Sequence, residues 1–561
     1  MFDAIVIGSG MSGGIAAKEL CERGLKTLVL ERGRKLEHGG SYTDFLQPWE
    51  MPNAGMVNEA DLERDYAIQR QCYAMNSATQ QFWVKDSEHP YSVPENKPFA
   101  WIRGYHLGGR SIMWGRQTYR LAPIDFEANA KDGHGSDWPI RYDDLAPWYD
   151  HIERFIGVSG SKEGLSQLPD GEFLPPFALN DAEVMFKQAV ERKFPGRRVI
   201  PGRVANLSKA QPHHEELGRS TCQVRSLCER GCTYGAYHSS LTSSLPAAER
   251  TGNLTIVTDA IVHSIVYDPK TRRATGVRVI DTNTKEARTY AAKVIFGCAS
   301  AIATAQILLN SKSDTQPRGL ANSSDMVGRN LMDHVYGLTV AGLLPNGPNT
   351  FYHGRRPTGL YIPRYRNVSE SGAFLRGFGY QGGVSRMGWR TAALAMPGIG
   401  AELKERTRKL GPWMIYISGF GEMLPNPDNR VTLHPTRTDN WGIPIVHIEC
   451  ENGPNEHKMA KQIIEDGGAM VEAAGGMVLS SVSEPGVPGL GIHEMGTACM
   501  GKDPKKSVLN KFNQAHDVPN LFITDGSAMA SSGCQNPSLT YMALSARAAD
   551  HATHLLKTGT L

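Results

Sequence analysis

The chain has 561 residues, of which 40% are hydrophobic and 21% are charged, and its formal net charge is +3. This is the composition of an ordinary globular protein, and the length allows a large buried core. The mild positive charge argues against nucleic-acid or anionic-membrane partners, and no apolar run approaches the roughly 20 residues of a transmembrane helix.

The beginning of the chain and its cysteines bear on the compartment. The first residues run directly into a strand-like segment, without the basic and apolar regions of a signal peptide, so we expect none and expect synthesis in the cytoplasm. The nine cysteines are an odd number in a long chain, which does not match the disulfide framework of a secreted protein.

The first thirty residues predict a β-α-β unit. Residues 4–7 are a continuous apolar run, as expected of a buried parallel strand, and a glycine-rich turn follows at 8–13. A helical pattern then extends over 15–23, and a second strand at 27–30 ends at Glu31. Strand, helix and strand are complete within about 30 residues, which is typical of this unit.

The glycine-rich turn has the GxGxxG spacing of a dinucleotide site. Gly8 permits a tight turn, Gly10 lets the backbone approach a pyrophosphate, and Gly13 lets helix and strand pack closely. The pyrophosphate would bind at the helix N-terminus, and Glu31 would accept hydrogen bonds from ribose hydroxyls. The alternative is a glycine-rich turn without a ligand. The motif alone does not distinguish FAD from NAD.

The rest of the chain alternates regular and irregular segments. Residues 35–100 are predicted to be irregular, whereas 335–450, rich in Arg, Tyr, Trp and Gly, are expected to form a separate β-rich lobe. Regular structure is predicted for strands at 254–257, 260–267, 274–280, 293–296 and 520–524, and for helices at 301–309 and from 538 to about 556.

Four further motifs carry a resemblance to a known family. They are GGRSIMWG at 108–115, VGRNLMDH at 327–334, HEMGT at 493–497, and Asn536-Pro537. Together with the N-terminal unit they resemble the glucose–methanol–choline (GMC) oxidoreductase family. The resemblance covers nearly the whole chain, and the motifs stand in the family's order.

The resemblance implies a fold of the α/β (α+β) class. A Rossmann-type FAD-binding domain would be discontinuous, built from residues 1–165, 200–345 and 485–561. An inserted substrate-binding domain with an antiparallel sheet would comprise residues 166–199 and 346–484.

The resemblance also implies FAD as the cofactor. In some members FAD is attached to a histidine of the GGxSxxW loop, and since Met113 stands at that position we expect non-covalent FAD. The expected cofactor-binding residues are Gly8, Gly10, Ser12, Gly13, Glu31, Arg32, Gly109, Ser111, Met113, Trp114, Val262, Asp525, Gly526, Asn536 and Pro537.

Alcohol oxidation needs a base for the hydroxyl proton and an acceptor for the hydride. A base should have a pKa near the working pH, which favours histidine. His493 matches the family's catalytic histidine and Asn536 its partner, which would hold the same hydroxyl by a hydrogen bond. The flavin supplies the hydride acceptor. His334 is expected to support the flavin region as a structural residue.

Cys222, Cys228 and Cys232 form a C-x5-C-x3-C pattern. Three thiolates at such spacing suit an iron–sulfur cluster. The spacing resembles that of FAD-dependent sugar dehydrogenase catalytic subunits, where it holds a three-iron (3Fe-4S) cluster, although Thr233 stands where these often have proline. The alternatives are zinc bound with His238 and free thiols. A cluster would favour a dehydrogenase that passes single electrons to a protein.

The substrate is indicated by a closer resemblance. Segment 138–149 and Asn536 resemble the branch of pyranose 2-oxidase and bacterial sugar dehydrogenases. Tyr380 and Gln381, in the run YQGG, resemble glucoside 3-dehydrogenase-like sequences and are the named substrate candidates. Other side chains of the lobe also suit a polyhydroxylated ring, and the alternative for each is a surface or packing role. They are Tyr352, His353, Tyr361, Arg364, Arg386 and Trp389.

The sequence therefore predicts oxidation of a secondary hydroxyl of a sugar, with C3 of a glucoside or glycoside first. The alternatives are a glucose C1, polyol or aldonate dehydrogenase, an enzyme of the pyranose oxidase type, and a non-catalytic FAD-binding or electron-transfer module. The resemblance implies a small subunit and a cytochrome or other electron acceptor as partners. Co-export with a subunit that carries the signal would deliver the chain to the periplasm.

Overall fold

The computed structural model describes residues 1–351, 358–388 and 398–561. The helices of these ranges are α1 (Met11–Glu22), α2 (Glu59–Asp65), α3 (Pro123–Asp132), α4 (Tyr142–Ile156), α5 (Asp181–Lys193), α6 (Pro212–Glu215), α7 (Leu245–Glu249), α8 (Ala301–Asn310), α9 (Gly400–Arg408), α10 (Pro454–Ala473) and α11 (Ser538–Lys557). The strands are β1 (Phe2–Ile7), β2 (Thr27–Leu30), β3 (Val158–Ser159), β4 (Phe173–Leu174), β5 (Ile200–Pro201), β6 (Leu254–Val257), β7 (Ala260–Asp268), β8 (Arg273–Asp281), β9 (Ala287–Gly297), β10 (His334–Leu344), β11 (Leu360–Ile362), β12 (Phe378–Arg386), β13 (Trp413–Glu422), β14 (Arg430–Thr438), β15 (Pro444–Glu449), β16 (Met477–Val482) and β17 (Leu521–Ile523).

The first sheet has a parallel part in the order β6-β2-β1-β9-β17. The beginning of β9 pairs instead with β8, and β8 with β7, both antiparallel. Because strand side chains alternate between faces, Ala4 and Val6 pack with α1 and α11, whereas Ile5 and Ile7 lie in the main core. This two-sided burial explains the continuous apolar run at the start of the sequence.

The second sheet is antiparallel throughout, in the order β16-β10-β13-β12-β11-β5. Helices α5 and α10 cover one face, where Phe186, Tyr380 and Ile463 belong to one apolar core. The opposite face, carrying Gln381 and Ser418, lines a cavity against the first sheet. The predicted architecture, an antiparallel sheet beside a Rossmann-type domain, is confirmed.

The predicted domain boundaries differ from the structure in two places. β10 and β5 belong to the second sheet, although residues 200–345 were expected in the first domain. The β14–β15 hairpin, expected in the second domain, packs Val431, Val446 and Ile448 into the core of the first. Strand periodicity identifies a strand, but long-range packing decides which sheet it joins.

Helix α1 begins at Met11 instead of Ile15, so Gly10 is its N-cap residue and Gly13 lies in its first turn. β6, β7, β8, α8, β17 and α11 agree with the predicted segments to within a residue or two, whereas β9 begins at Ala287, before the predicted segment 293–296. Across the described ranges, every helix is too short or too polar to cross a bilayer.

Candidate active site

A cavity of about 960 Å³ lies between the carboxyl ends of the parallel strands and the open face of the second sheet. Its volume is at the upper end of the range for ligand pockets. Open parallel sheets bind ligands at this edge. One half of the wall contains the glycine-rich turn and Glu31, and the other contains His493, Asn536 and Gln381.

The glycine-rich turn has the shape of an anion cradle. Gly8 has φ +95°, and a Cβ atom on Gly13 would lie 1.9 Å from the Gly8 carbonyl oxygen, so both positions exclude a side chain. A Cβ on Gly10 would meet nothing within 4 Å. No side chain caps the N-terminus of α1, and its first turn has no acidic residue. Its N–H groups are therefore available to a pyrophosphate.

Glu31 lies at the end of β2, inside the cavity wall. Its carboxylate accepts hydrogen bonds from the Ser9 hydroxyl (2.6 Å) and the Gly33 N–H (3.0 Å). Burial raises the pKa of Glu31, despite these hydrogen bonds. The guanidinium of Arg32 covers the Tyr105 ring at 4.1 Å. Ser12 and Val262, two further expected cofactor-binding residues, also line the cavity.

The GGxSxxW segment contains a short 3-10 turn, Gly109–Ile112, beside the glycine-rich turn. The Ser111 hydroxyl accepts a hydrogen bond from the Ser240 N–H (3.0 Å). Trp114 donates its indole N–H to the His238 carbonyl (2.9 Å). Gly109, Ser111, Met113 and Trp114 all line the cavity. The thioether of Met113 offers no imidazole nitrogen for covalent attachment of a flavin.

The C-terminal segment closes the cavity between its two halves. Asp525, whose pKa is raised by burial, caps the following turn by accepting from the Ser527 N–H (2.9 Å), and it lines the wall together with Gly526. Pro537, the N-cap residue of α11, does not line the cavity, although its neighbours Asn536 and Ser538 do. The hydroxyl of Tyr541 is buried in the wall without a hydrogen-bond partner. This unpaired hydroxyl, the anion-binding glycine-rich turn and the size of the cavity fit FAD.

The catalytic half is organised by one chain of hydrogen bonds. His334 Nε2 lies 3.0 Å from the Gly533 carbonyl oxygen and must donate to it. His334 Nδ1 is then an acceptor, so the Nδ1–H of His493, at 2.8 Å, donates to it. His493 Nε2 therefore carries a lone pair and accepts from the Asn536 amide N–H at 3.2 Å. The Asn536 carbonyl oxygen accepts from Gln381 Nε2 at 2.5 Å.

This geometry gives each member of the chain a defined protonation state. His493 is a neutral base whose free electron pair faces Asn536 at the cavity wall. Burial lowers the pKa of His493 well below its usual value, and nearby His334 and Arg110 lower it further. Burial also lowers the pKa of His334 to about 4. Both imidazoles therefore stay neutral at physiological pH.

The loop that carries His493 is fixed by buried charges. The carboxylate of Asp333 accepts the backbone N–H groups of Gly489 (2.8 Å), Gly491 (2.9 Å) and His493 (3.1 Å). Glu494 forms a two-bond ion pair with Arg110, at 2.7 and 3.2 Å. Burial, followed by the charge of Glu494, raises the pKa of Asp333 to about 6.

The two predicted substrate residues lie on opposite faces of β12. Gln381 lines the cavity, but the prediction for Tyr380 is wrong, because alternation turns its ring into the core, where its hydroxyl donates to the Ile463 carbonyl (2.6 Å). Among the other lobe candidates, Tyr361 stacks on Tyr119 within the core and Arg364 is buried. Tyr352, His353 and Trp389 lie outside the described residues.

The three clustered cysteines lie in one loop, and Cys228 lines the cavity. Burial raises the pKa of Cys222 and of Cys232. His238 pairs its Nδ1 with the Ser243 hydroxyl at 2.6 Å. Over residues 1–351, 358–388 and 398–561, no group of three or more His, Cys, Asp or Glu side chains could hold a metal ion. The structure thus supports neither the iron–sulfur cluster nor the zinc site.

An FAD-sized cavity with a Rossmann-type cradle and a neutral histidine base defines a flavin-dependent enzyme that oxidises alcohols. GMC oxidoreductase family models match residues 2–336 and 425–545. The chain belongs to the GMC oxidoreductase family and is an FAD-dependent oxidoreductase of CH–OH donors.

Individual proteins are similar over almost the whole chain. 2-Methyl-1,2-propanediol dehydrogenase of Mycolicibacterium austroafricanum is 30% identical, with 98% of this chain and 94% of that protein covered. Fructose dehydrogenase large subunit of Gluconobacter japonicus is 28% identical, with 99% and 98% covered. The crystal structure of pyridoxine 4-oxidase from Mesorbium loti shares the fold at a TM-score of 0.61 and 17% identity, with 98% and 99% covered.

Sequence reasoning missed several residues of the catalytic half. His334 was expected to be structural, but it contacts the base directly. Tyr336, Ser418 and Phe420 line the cavity from β10 and β13 without belonging to a motif. The signal for His334 was present in the VGRNLMDH segment, whereas the strand positions required knowledge of the sheet register.

Proposed function

We propose that the protein is an FAD-dependent dehydrogenase that oxidises a secondary hydroxyl of a sugar, with C3 of a glucoside or other glycoside as the first candidate. The observation that carries this proposal is the hydrogen-bond chain that leaves His493 Nε2 as an acceptor at the cavity wall. Gln381 and Asn536 add amide groups suited to neighbouring hydroxyls of the same ring.

The chain's residues have separate roles in the proposed reaction. The substrate hydroxyl displaces the Asn536 N–H from His493 Nε2 and gives its proton to that nitrogen. Asn536 then donates to the substrate oxygen and holds it as the C=O bond forms. Bound FAD supplies the acceptor for the hydride that leaves the same carbon. The alcohol thus loses one proton and one hydride, which balances its oxidation to a ketone.

A second candidate is a polyol or diol dehydrogenase. The name of the relative from Mycolicibacterium, a propanediol dehydrogenase, supports it. The choice of a dehydrogenase over an oxidase rests on that name and on fructose dehydrogenase. The second relative is named a large subunit, which supports a small subunit and an electron-accepting protein as partners here. Periplasmic delivery with such a subunit remains a prediction.

The first experiment supplies methyl glucoside and a one-electron dye to the purified holoenzyme and identifies the product by NMR. C1 is blocked in this substrate, so a 3-keto product supports C3 oxidation. Dye reduction with glucose alone would instead indicate C1 chemistry, and reduction with polyols alone would favour the second candidate. His493→Ala should retain FAD and lose flavin reduction by at least about a hundredfold. A variant that reduces its flavin at the wild-type rate would exclude His493 as the base.

A further inference from the structure

The cavity continues beyond the catalytic residues along strand β12. Gln381, Gly383 and Ser385 alternate with core residues and face the cavity, so these three positions form one line along the strand. From Gln381, which bonds Asn536, to Ser385 the strand advances by about 13 Å. This line is longer than one pyranose ring placed at His493.

We call this part of the cavity, along Gln381, Gly383 and Ser385, the groove. An aromatic ring lines one side of the groove and polar groups line the other. Tyr416 on β13 is the cross-strand neighbour of Gly383, and its side chain is half exposed. Thr358 and Asn180 form the opposite wall. An exposed aromatic ring facing hydroxyl and amide groups matches the apolar faces and hydroxyl edges of a sugar.

Close packing explains why residue 382 is glycine, but it explains the glycine at 383 less well. A Cβ atom on Gly382 would lie 2.1 Å from the Tyr416 carbonyl oxygen, so close backbone contact excludes a side chain there. At Gly383 the nearest atoms would be Glu183 Oε1 at 3.3 Å and Gly359 Cα at 3.7 Å. Glycine weakens a strand interior, and it occurs where a backbone or a ligand approaches closely. At Gly383 the space that a side chain would fill stays open to the cavity.

The charges beside the groove already have partners. Glu183 accepts the backbone N–H of Asn180 (2.9 Å) and of Val384 (3.2 Å). Arg386 donates to backbone carbonyls of Pro348, Thr350 and Gly411. The acidic Glu183 and the basic Arg386 both line this end of the cavity, so it favours neither sign of ligand charge, which suits a neutral ligand that needs hydrogen bonds alone.

We propose that the groove of Gln381, Gly383, Ser385, Tyr416 and Thr358 binds a second, neutral sugar ring attached to the ring that is oxidised. The natural substrate is then a glycoside of at least two rings. This inference rests on the proposed sugar oxidation and deepens it.

The test compares a one-ring and a two-ring substrate with the holoenzyme. Methyl glucoside is set against methyl maltoside and methyl cellobioside, and kcat/KM is measured with the same dye. We expect the better two-ring substrate to exceed methyl glucoside by at least about tenfold, which is the discrimination that a few filled contacts provide. Gly383→Val should fill the groove and lower this ratio about tenfold.

The control is Gly388→Val, the same substitution five residues along, where no described atom lies within 4 Å of the added Cβ and which is not among the described residues of the cavity wall. It should leave the ratio unchanged. Tyr416→Ala removes the aromatic wall instead of filling the groove, and it should also lower the ratio. The test therefore does not depend on the folding of one variant. FAD content and melting temperature verify each variant.

The outcomes separate the two proposals. Suppose that methyl glucoside is oxidised, that the second ring brings no gain, and that Gly383→Val and Tyr416→Ala leave the ratio unchanged. This outcome would overturn the groove proposal and leave the proposed sugar oxidation intact. If neither kind of glucoside reduces the flavin, the sugar oxidation is overturned and the groove proposal with it.

Discussion

Replacing His334 by leucine tests the hydrogen-bond chain most directly. His493 Nδ1–H would lose the acceptor that lies 2.8 Å away, in a part of the site where His334 itself is buried. A buried donor without a partner costs about 1–3 kcal/mol. The ring can avoid this cost by moving the proton to Nε2, where Asn536 now donates, but that tautomer cannot accept a substrate proton.

The energy converts into an expected rate. Since each 1.36 kcal/mol is a factor of ten, a loss of about 1–3 kcal/mol predicts flavin reduction slower by roughly 5-fold to 150-fold. The assay is anaerobic stopped-flow absorbance at saturating substrate, which reports the rate of flavin reduction itself. KM should change little, because His334 does not line the cavity.

His334→Asn provides the matched control. Its amide oxygen occupies approximately the position of the imidazole Nδ1 and can accept the His493 proton, so most of the rate should return. Equal losses in the leucine and asparagine variants would indicate a purely structural role. An unchanged rate in His334→Leu, with FAD still bound, would refute the tautomer argument.

Two further predictions concern Tyr380 and pH. Tyr380→Phe removes the hydrogen bond to the Ile463 carbonyl and should lower the free energy of unfolding by about 1 kcal/mol in urea titrations, with kcat/KM unchanged. A fall in kcat/KM would instead show that Tyr380 contributes to the active site. Because burial lowers the pKa of His493, the base stays neutral as the pH falls through 6.5, and the acid limb of kcat/KM should lie well below that value. A limb centred at 6.5 would show that the base is not this buried histidine.

The nucleotide half of the site was predictable because its chemistry is local. One turn contains Gly8 with its positive φ, Gly10 with free space beside its Cα, and Gly13 in close contact with the Gly8 carbonyl oxygen. Glu31 follows at the end of the next strand. The physical requirements of a pyrophosphate act on consecutive residues, so the sequence records them in one motif.

The substrate half was predictable only in part. Its walls come from segments far apart in the chain, and adjacent residues on a strand face opposite sides. The run of Tyr380 and Gln381 was therefore recognised as a unit, although only Gln381 reaches the cavity. The cysteine spacing likewise matches a cluster motif, but spacing alone does not determine whether three thiols converge on one point, and among the described residues they form no group that could hold a metal ion.

The catalytic geometry depends on both cores at once. His493 and Asn536 lie in loops of the first domain, whereas His334 begins β10 and Gln381 lies on β12 of the second sheet. The hydrogen-bond chain therefore begins and ends on the second sheet, with His493 and Asn536 of the first domain between, and neither domain alone fixes the tautomer of the base together with the orientation of its amide partner. A small displacement of the second sheet would lengthen the two bonds between the domains, of 2.8 and 2.5 Å, beyond useful range. Packing of the sheet against α5 and α10 thus contributes to the reactivity of a histidine outside that sheet.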